Sequence, residues 1–259
     1  MGAKGWAWVV GVSLCFLSAP SRSETIVVLS DYWYPYNGEP ASEREGYMID
    51  LLRGIAKSNG HSIDYRLLDW ELALKRTETG QDGDCVVGAI ASDAPRHVRT
   101  AAPWGSSQNR LYAHTDRMPS IPNLAALGRL RIGAVADYSY GDAVDALLAG
   151  HPDMVTRVKS SRKAFPSLAM RLVTKKVDVV IEDSNVADAS IAEMKIRSIR
   201  PVSVDFLEAD PIFVACTPNT RGRTLIAQFD AGLSKARQSG ELEKILARYA
   251  LKDWAVKSP

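Results

Sequence analysis

Twice along this chain a short apolar strand is followed by a helix, a second strand, a second helix and a buried strand. That repeated order restricts the fold more than any other feature. In the first pass, residues 25–29 (TIVVL) open as a strand. Residues 47–58 carry Met48, Leu51, Leu52 and Ile55 at helical spacing, with Gly60 where a stop belongs. Residues 62–68 alternate Ile63, Tyr65 and Leu67, residues 70–77 make a helical turn or two, and residues 85–90 (CVVGAI) are a buried strand. The order β-α-β-α-β favours a parallel sheet with right-handed crossovers.

The second pass is introduced by an outward strand at 109–116 and a Pro-punctuated loop. Strands at 131–135, 154–158 and 177–181 then alternate with helices at 142–149 and 162–174. A further apolar strand, PIFVACT, and helices at 223–237 and 241–249 close the chain. The fold class is therefore α/β, with two lobes. Open α/β sheets bind ligands beyond the C-terminal ends of their strands, so two such units predict a cleft between the lobes.

Residues 1–23 read as a signal peptide: Lys4, the apolar run GWAWVVGVSLCFLSA, then small residues before a cut after Ser23 or two residues earlier. The apolar run is shorter than the roughly 20 residues of a spanning helix, and Leu14 before Cys15 does not suit a lipoprotein cleavage site. Cleavage removes Lys4 and Arg22 and no acid, leaving 30 basic and 30 acidic residues. That balance points to neither nucleic acid nor an anionic membrane as partner. The histidines are scattered and only Cys85 and Cys216 remain after cleavage, so neither a metal site nor another cofactor is expected.

Three strand-to-loop junctions carry the candidate chemistry. In SDYWYPYNGEP, Asp31 precedes Tyr32, Trp33, Tyr34 and Tyr36, and Pro35 keeps the loop from continuing as a paired strand. Rings there either cap the lobe's core or face a ligand by stacking or cation–π attraction, and Trp70 adds one at the next junction. In GAIASDAPRHVR, Arg96 is the candidate fork for a carboxylate, with Gly88 and Ser92 completing an anion site. In the second unit, Ser139 and Tyr140 precede a helix whose free amides suit an anion. Asp183 ends a strand where it suits either an ammonium group or the cap of the next helix. No G-x-S-x-G elbow, P-loop, H-E-x-x-H or dinucleotide fingerprint occurs. An arginine, an acid and rings between them describe recognition rather than reaction.

These motifs, in this order, resemble the bacterial periplasmic solute-binding proteins of the polar amino-acid ABC importers, over most of residues 25–252. EGYMIDLLRGIAKSNG resembles the family's Gly-aromatic-x-x-Asp-Leu helix, and GDCVVGA with APRH its strand and arginine turn. LRIGAVADYSYG resembles the opening of its second lobe, KKVDVVIED its Val-Asp run, and LSKARQSGELEKILARY its closing helix pair. The resemblance implies a two-lobe fold (type II periplasmic-binding-protein fold) joined by two hinge strands, with lobe 1 at 24–112 and 206–259 and lobe 2 at 113–205. It implies a periplasmic monomer that captures an amino-acid-like ligand and delivers it to an ABC permease, with no catalytic residues. By resemblance Arg96 would take the ligand's carboxylate, Asp183 its ammonium, and Trp33 or Tyr34 together with Trp70 would form the aromatic wall; an acid at the position of Asp31 also occurs. The chain departs from the family at AIAS, DYSYG and KKVDV. Alternatives on the same fold are a dehydratase-like enzyme, a sensor and an accessory binding protein. The resemblance also places the strand returning from lobe 2 beside residues 85–90. Cys85 and Cys216 would then share a lobe, as a disulfide or as two small buried hydrophobes.

Overall fold

The computed structural model describes residues 23–255. The expected signal peptide and Cys15 lie outside the described residues, apart from Ser23. The first unit forms as the periodicity predicts: β1 (Thr25–Ser30), α1 (Tyr47–Ser58), β2 (Ser62–Leu67), α2 (Trp70–Thr79) and β3 (Cys85–Ala89). In α1 the helical spacing buries Met48, Leu51, Leu52 and Ile55 against the sheet. Burying one such side chain is worth about 1.5–3 kcal/mol, so Leu52→Ala would open a cavity in the lobe 1 core. Helix α2 stops at Gly80, which takes a left-handed φ of 71° that side chains with a Cβ resist.

The short β4 (Val98–Arg99) leads into β5 (Gly105–His114), which crosses to the second unit. That unit holds α3 (Leu124–Leu127), β6 (Ile132–Val135), α4 (Asp142–Gly150), β7 (Val155–Val158), α5 (Ala164–Val173), β8 (Val179–Asp183), α6 (Ser184–Met194) and β9 (Ile199–Val202). Strand β10 (Ala209–Cys216) returns, and α7 (Thr220–Gln238) and α8 (Glu241–Ala247) pack on the first unit. Strand β9, with its short apolar run around Pro201, had no periodic signature.

The strands follow the order β2-β1-β3-β10-β5-β8-β6-β7, with β4 on β10 and β9 on β5. Within each lobe the strands of the unit run parallel, and β10 and β5 enter antiparallel. The two crossing strands pair with each other from Gly105 to Gln108 and from Ala209 to Ile212. From Asn109 onward β5 pairs with β8 instead. The chain thus passes into lobe 2 near residue 108, earlier than the boundary at 112 read from the sequence. Only the partner of each half-strand marks that point, and a continuous strand conceals it.

Each sheet is covered on both faces. Lobe 1 packs α1, α7 and α8 on one face and α2 on the other, with Trp104 edge-on to Phe229 at 6.1 Å. Lobe 2 has one core around Leu111, Ile132 and Ile181 and another around Tyr112, Phe165 and Leu168. Cys216 lies opposite Cys85 in the β10–β3 register, and the two form a disulfide buried in lobe 1.

Candidate functional site

The C-terminal ends of β1, β3, β6 and β8 converge between the lobes on a cavity of about 60 Å³. Asp31 follows β1 and is 6% exposed. Its Oδ2 accepts hydrogen bonds from Tyr138 Oη at 2.6 Å and Ser160 Oγ at 2.5 Å, both from lobe 2. The lobes are thereby held together across the cleft. Burial raises the Asp31 carboxyl above its usual range, against those two bonds.

The aromatic loop divides its rings. Trp33 lines the cavity, stacks on Tyr36 at 4.0 Å and meets Tyr138 edge-on at 6.5 Å. Gly88, at φ +85°, lies beneath it: a Cβ there would stand 3.3 Å from the indole ring. Trp70 opens α2 and lines the cavity from the next strand end. Tyr36 belongs to the core, 1% exposed, so the ring cluster divides between a core ring and a ring that lines the cavity.

Four carboxylates face the cavity: Asp31, Asp93, Glu182 and Asp210. Burial pushes Asp93 up to about 6, while the Trp70 indole N–H holds it down. Burial pushes Glu182 up to about 8, and the nearby Asp183 and Asp31 carboxylates add to that. Asp210 is raised by burial and by Glu208. The remaining polar surface comes from Ser107 and Asn109 of β5 and Ser139. Among the described residues lining the cavity there is no Lys, Arg or His.

Asp31, Trp33, Trp70, Gly88 and Ser139 are thus brought together as the sequence suggested. Five candidates are not. Arg96 lies beyond the turn after β3; its side chain is 77% exposed and pairs with Glu78 of α2 at 2.6 Å, outside the cleft. Ser92 sits at the exposed top of the same turn, while its neighbour Asp93 faces in. Tyr34 turns to the lobe 1 surface against Tyr249, at 5.8 Å. Tyr140 is buried in lobe 2, where its hydroxyl accepts from Val135 N at 2.8 Å.

Asp183 takes the capping option. Its carboxylate accepts from Asn185 N, Val186 N, Gln108 N and Ser107 Oγ, and Tyr36 Oη lies 3.1 Å from both its oxygens. Successive strand residues point to opposite faces, and that one-residue step puts Glu182, not Asp183, in the cavity. Glu182 and Tyr138 were visible as strand-end residues. Asp93 could have been found from its place in the arginine turn. Asp210 and Asn109 had no local signal, because they come from the two crossing strands.

The comparisons agree with this architecture. The profile of the bacterial extracellular solute-binding proteins, family 3, matches residues 25–252. A probable histidine-binding protein of Neisseria gonorrhoeae is 21% identical over 212 residues, covering 81% of this chain and 76% of that one. Among solved structures, a histidine kinase sensor domain with similarity to periplasmic binding proteins superposes with a TM-score of 0.74 at 22% identity. It covers 90% of this chain and 100% of its own. The arginine-, lysine-, histidine-binding protein ArtJ of Geobacillus stearothermophilus superposes at 0.72 with 16% identity, covering 87% and 94%. At these identities the superpositions establish the periplasmic-binding-protein fold.

Proposed function

The chain belongs to the bacterial extracellular solute-binding proteins of family 3, and from that premise we propose that it captures a small polar solute of the amino-acid class in the interlobe cleft and delivers it to an ABC permease. The family match over residues 25–252 carries this reading. The cavity supports it, lying at the strand ends between two lobes that the paired strands β5 and β10 join. Hinge closure about such a pair buries a ligand between lobes. In this reading the protein works in the periplasm as a monomer, after removal of residues 1–23. The residues that hold the solute are Asp31, Trp33, Trp70, Gly88 and Ser139, with Asp93, Glu182 and Asp210 added by the fold. They bind without performing a reaction.

The test is ligand carried through purification. Native mass spectrometry of the secreted protein is expected to show the mass of one small solute, released on unfolding. Membrane vesicles holding the cognate permease are expected to accumulate that solute only when the protein is added. A protein that retains no solute, and whose melting temperature is unmoved by a library of amino acids and amines, would overturn the reading.

A further inference from the structure

The arginine and the helix entry that the sequence offered to a ligand's carboxylate are already filled by the protein's own acids. Arg96 is paired with Glu78 on the surface. At the start of α4, Asp145 accepts from Ser139 Oγ at 2.7 Å and from Tyr140 N at 2.9 Å, so the serine hydroxyl and the helix-entry amide are occupied. The cavity's own acids are in the opposite position. Asp31, Asp93, Glu182 and Asp210 line it, and among the described residues none of them forms an ion pair. Glu182 is 2% exposed, and among the described residues its carboxylate's one hydrogen bond comes from the backbone N–H of its own neighbour, Asp183. Arg110, its register partner on β5, turns away to Gln108 Oε1 at 3.4 Å. A buried carboxylate without a cation is costly unless something supplies the charge.

We propose that the cleft takes an organic cation that bears no carboxylate, a protonated amine or a quaternary ammonium, held by Asp31 and Glu182 and faced by the rings of Trp33, Trp70 and Tyr138. Aromatic faces attract such cations through the ring quadrupole, and the carboxylates supply the countercharge. This deepens the solute-binding reading above and rests on it. With the lobes joined through Asp31, the cavity of about 60 Å³ is well under the about 300 Å³ at which ligand pockets begin. A cation larger than that enters by parting the Asp31–Tyr138 and Asp31–Ser160 bonds, which free the Asp31 carboxylate to pair with it.

Binding carries a proton signature. Glu182 is held protonated to about pH 8 by burial and by the Asp183 and Asp31 carboxylates. Tyr138 and Tyr140 face it too, with their hydroxyls kept protonated by burial, and Arg110 points away. A cation beside Glu182 favours the carboxylate, so binding at pH 7 releases a proton and affinity rises as pH is raised from 6 to 9.

The experiment compares two pairs of probes that differ at the carboxylate: putrescine against ornithine, and choline against glycine betaine. Each is titrated by calorimetry into the ligand-stripped protein at pH 8. Putrescine or choline is expected to bind at least tenfold more tightly than its carboxylate-bearing counterpart. Glu182→Gln and, separately, Asp31→Asn are expected to weaken that binding at least tenfold with the circular dichroism spectrum unchanged. Tighter binding of ornithine or glycine betaine overturns the proposal, and so does the absence of binding by all four at millimolar concentration. If native mass spectrometry then finds a neutral or anionic solute in the protein, the solute-binding reading stands without a cation. If it finds none, both fall.

Discussion

Asp178, just before β8, and Glu182, near the strand's inner end, meet opposite circumstances. Asp178, at the outer end, accepts from Arg131 N, Nε and Nη2, the last at 2.7 Å, with Arg117 at 3.8 Å. The Arg131 hydrogen bonds hold its carboxyl below the usual range. Glu182, at the cleft end, is buried without a cation and pushed up to about 8. Lobe 1 repeats the contrast. Asp84, at the outer start of β3, pairs with Arg221 at 2.7 Å, while Asp31 at the inner end of β1 has only hydroxyl partners across the cleft. The outer ends are built for stability. The inner ends forgo it: their carboxyls are buried without a cation, and burial favours their protonated form.

The contrast is open to test, beginning with the outer end of lobe 1. The Cys85–Cys216 disulfide there closes a separation of 131 residues. Replacing both cysteines with alanine is expected to cost about 2–5 kcal/mol in denaturant titrations while leaving ligand affinity unchanged at 20 °C. A parallel loss of affinity would mean that the two ends are coupled through β3.

Glu182→Gln is expected to do the reverse. The folded protein holds the Glu182 proton well above pH 4.5, where the unfolded chain releases it. Stability therefore falls as pH rises from about 4.5 to about 8, and then levels off. Glutamine removes that slope, so the variant should be more stable than the parent at pH 8, by on the order of 2 kcal/mol, though it binds ligand worse. Melting temperatures across this range decide it; parallel curves for parent and variant would show that Glu182 already has its countercharge. Asp178 acts with the opposite sign: its pairing stabilises above pH 3.8 and is lost as pH falls below it.

Smaller effects follow at partly exposed pairs. Arg221→Ala is expected to cost about 0.5–1 kcal/mol, because Asp84 keeps the backbone N–H of Val27 at 2.8 Å. A loss of several kcal/mol would mean that the outer pairs are far stronger than exposed ion pairs are. The smallest change is expected from Arg96→Ala, which removes only the exposed pair with Glu78 and should leave affinity untouched by calorimetry. A tenfold weakening there would restore Arg96 to the ligand, and with it the carboxylate expected from the sequence.

Much of the fold is legible along the chain because its determinants are local. The spacing of Met48, Leu51, Leu52 and Ile55 forms α1 wherever it packs, and the two β-α-β-α-β orders leave a parallel sheet in each lobe as the economical solution. The position of the cleft follows from the same order, and Asp31, Trp33 and Trp70 were marked by standing at strand ends. Tertiary structure decided the rest. Whether Asp183 caps α6 or faces the ligand depends on Ser107 and Gln108, which β5 delivers. The fate of Arg96 depends on Glu78 from α2, and that of Ser139 on Asp145 one helical turn on. Asp210 enters the cavity only because β10 returns beside β5. Backbone pattern is a property of neighbours in sequence, whereas the charge balance of a cavity is a property of neighbours in space. For this protein the sequence alone determined two lobes and a cleft with rings at its mouth. Only the packed structure decided that the cleft's acids have no cationic partner among the described residues and that its expected arginine lies outside.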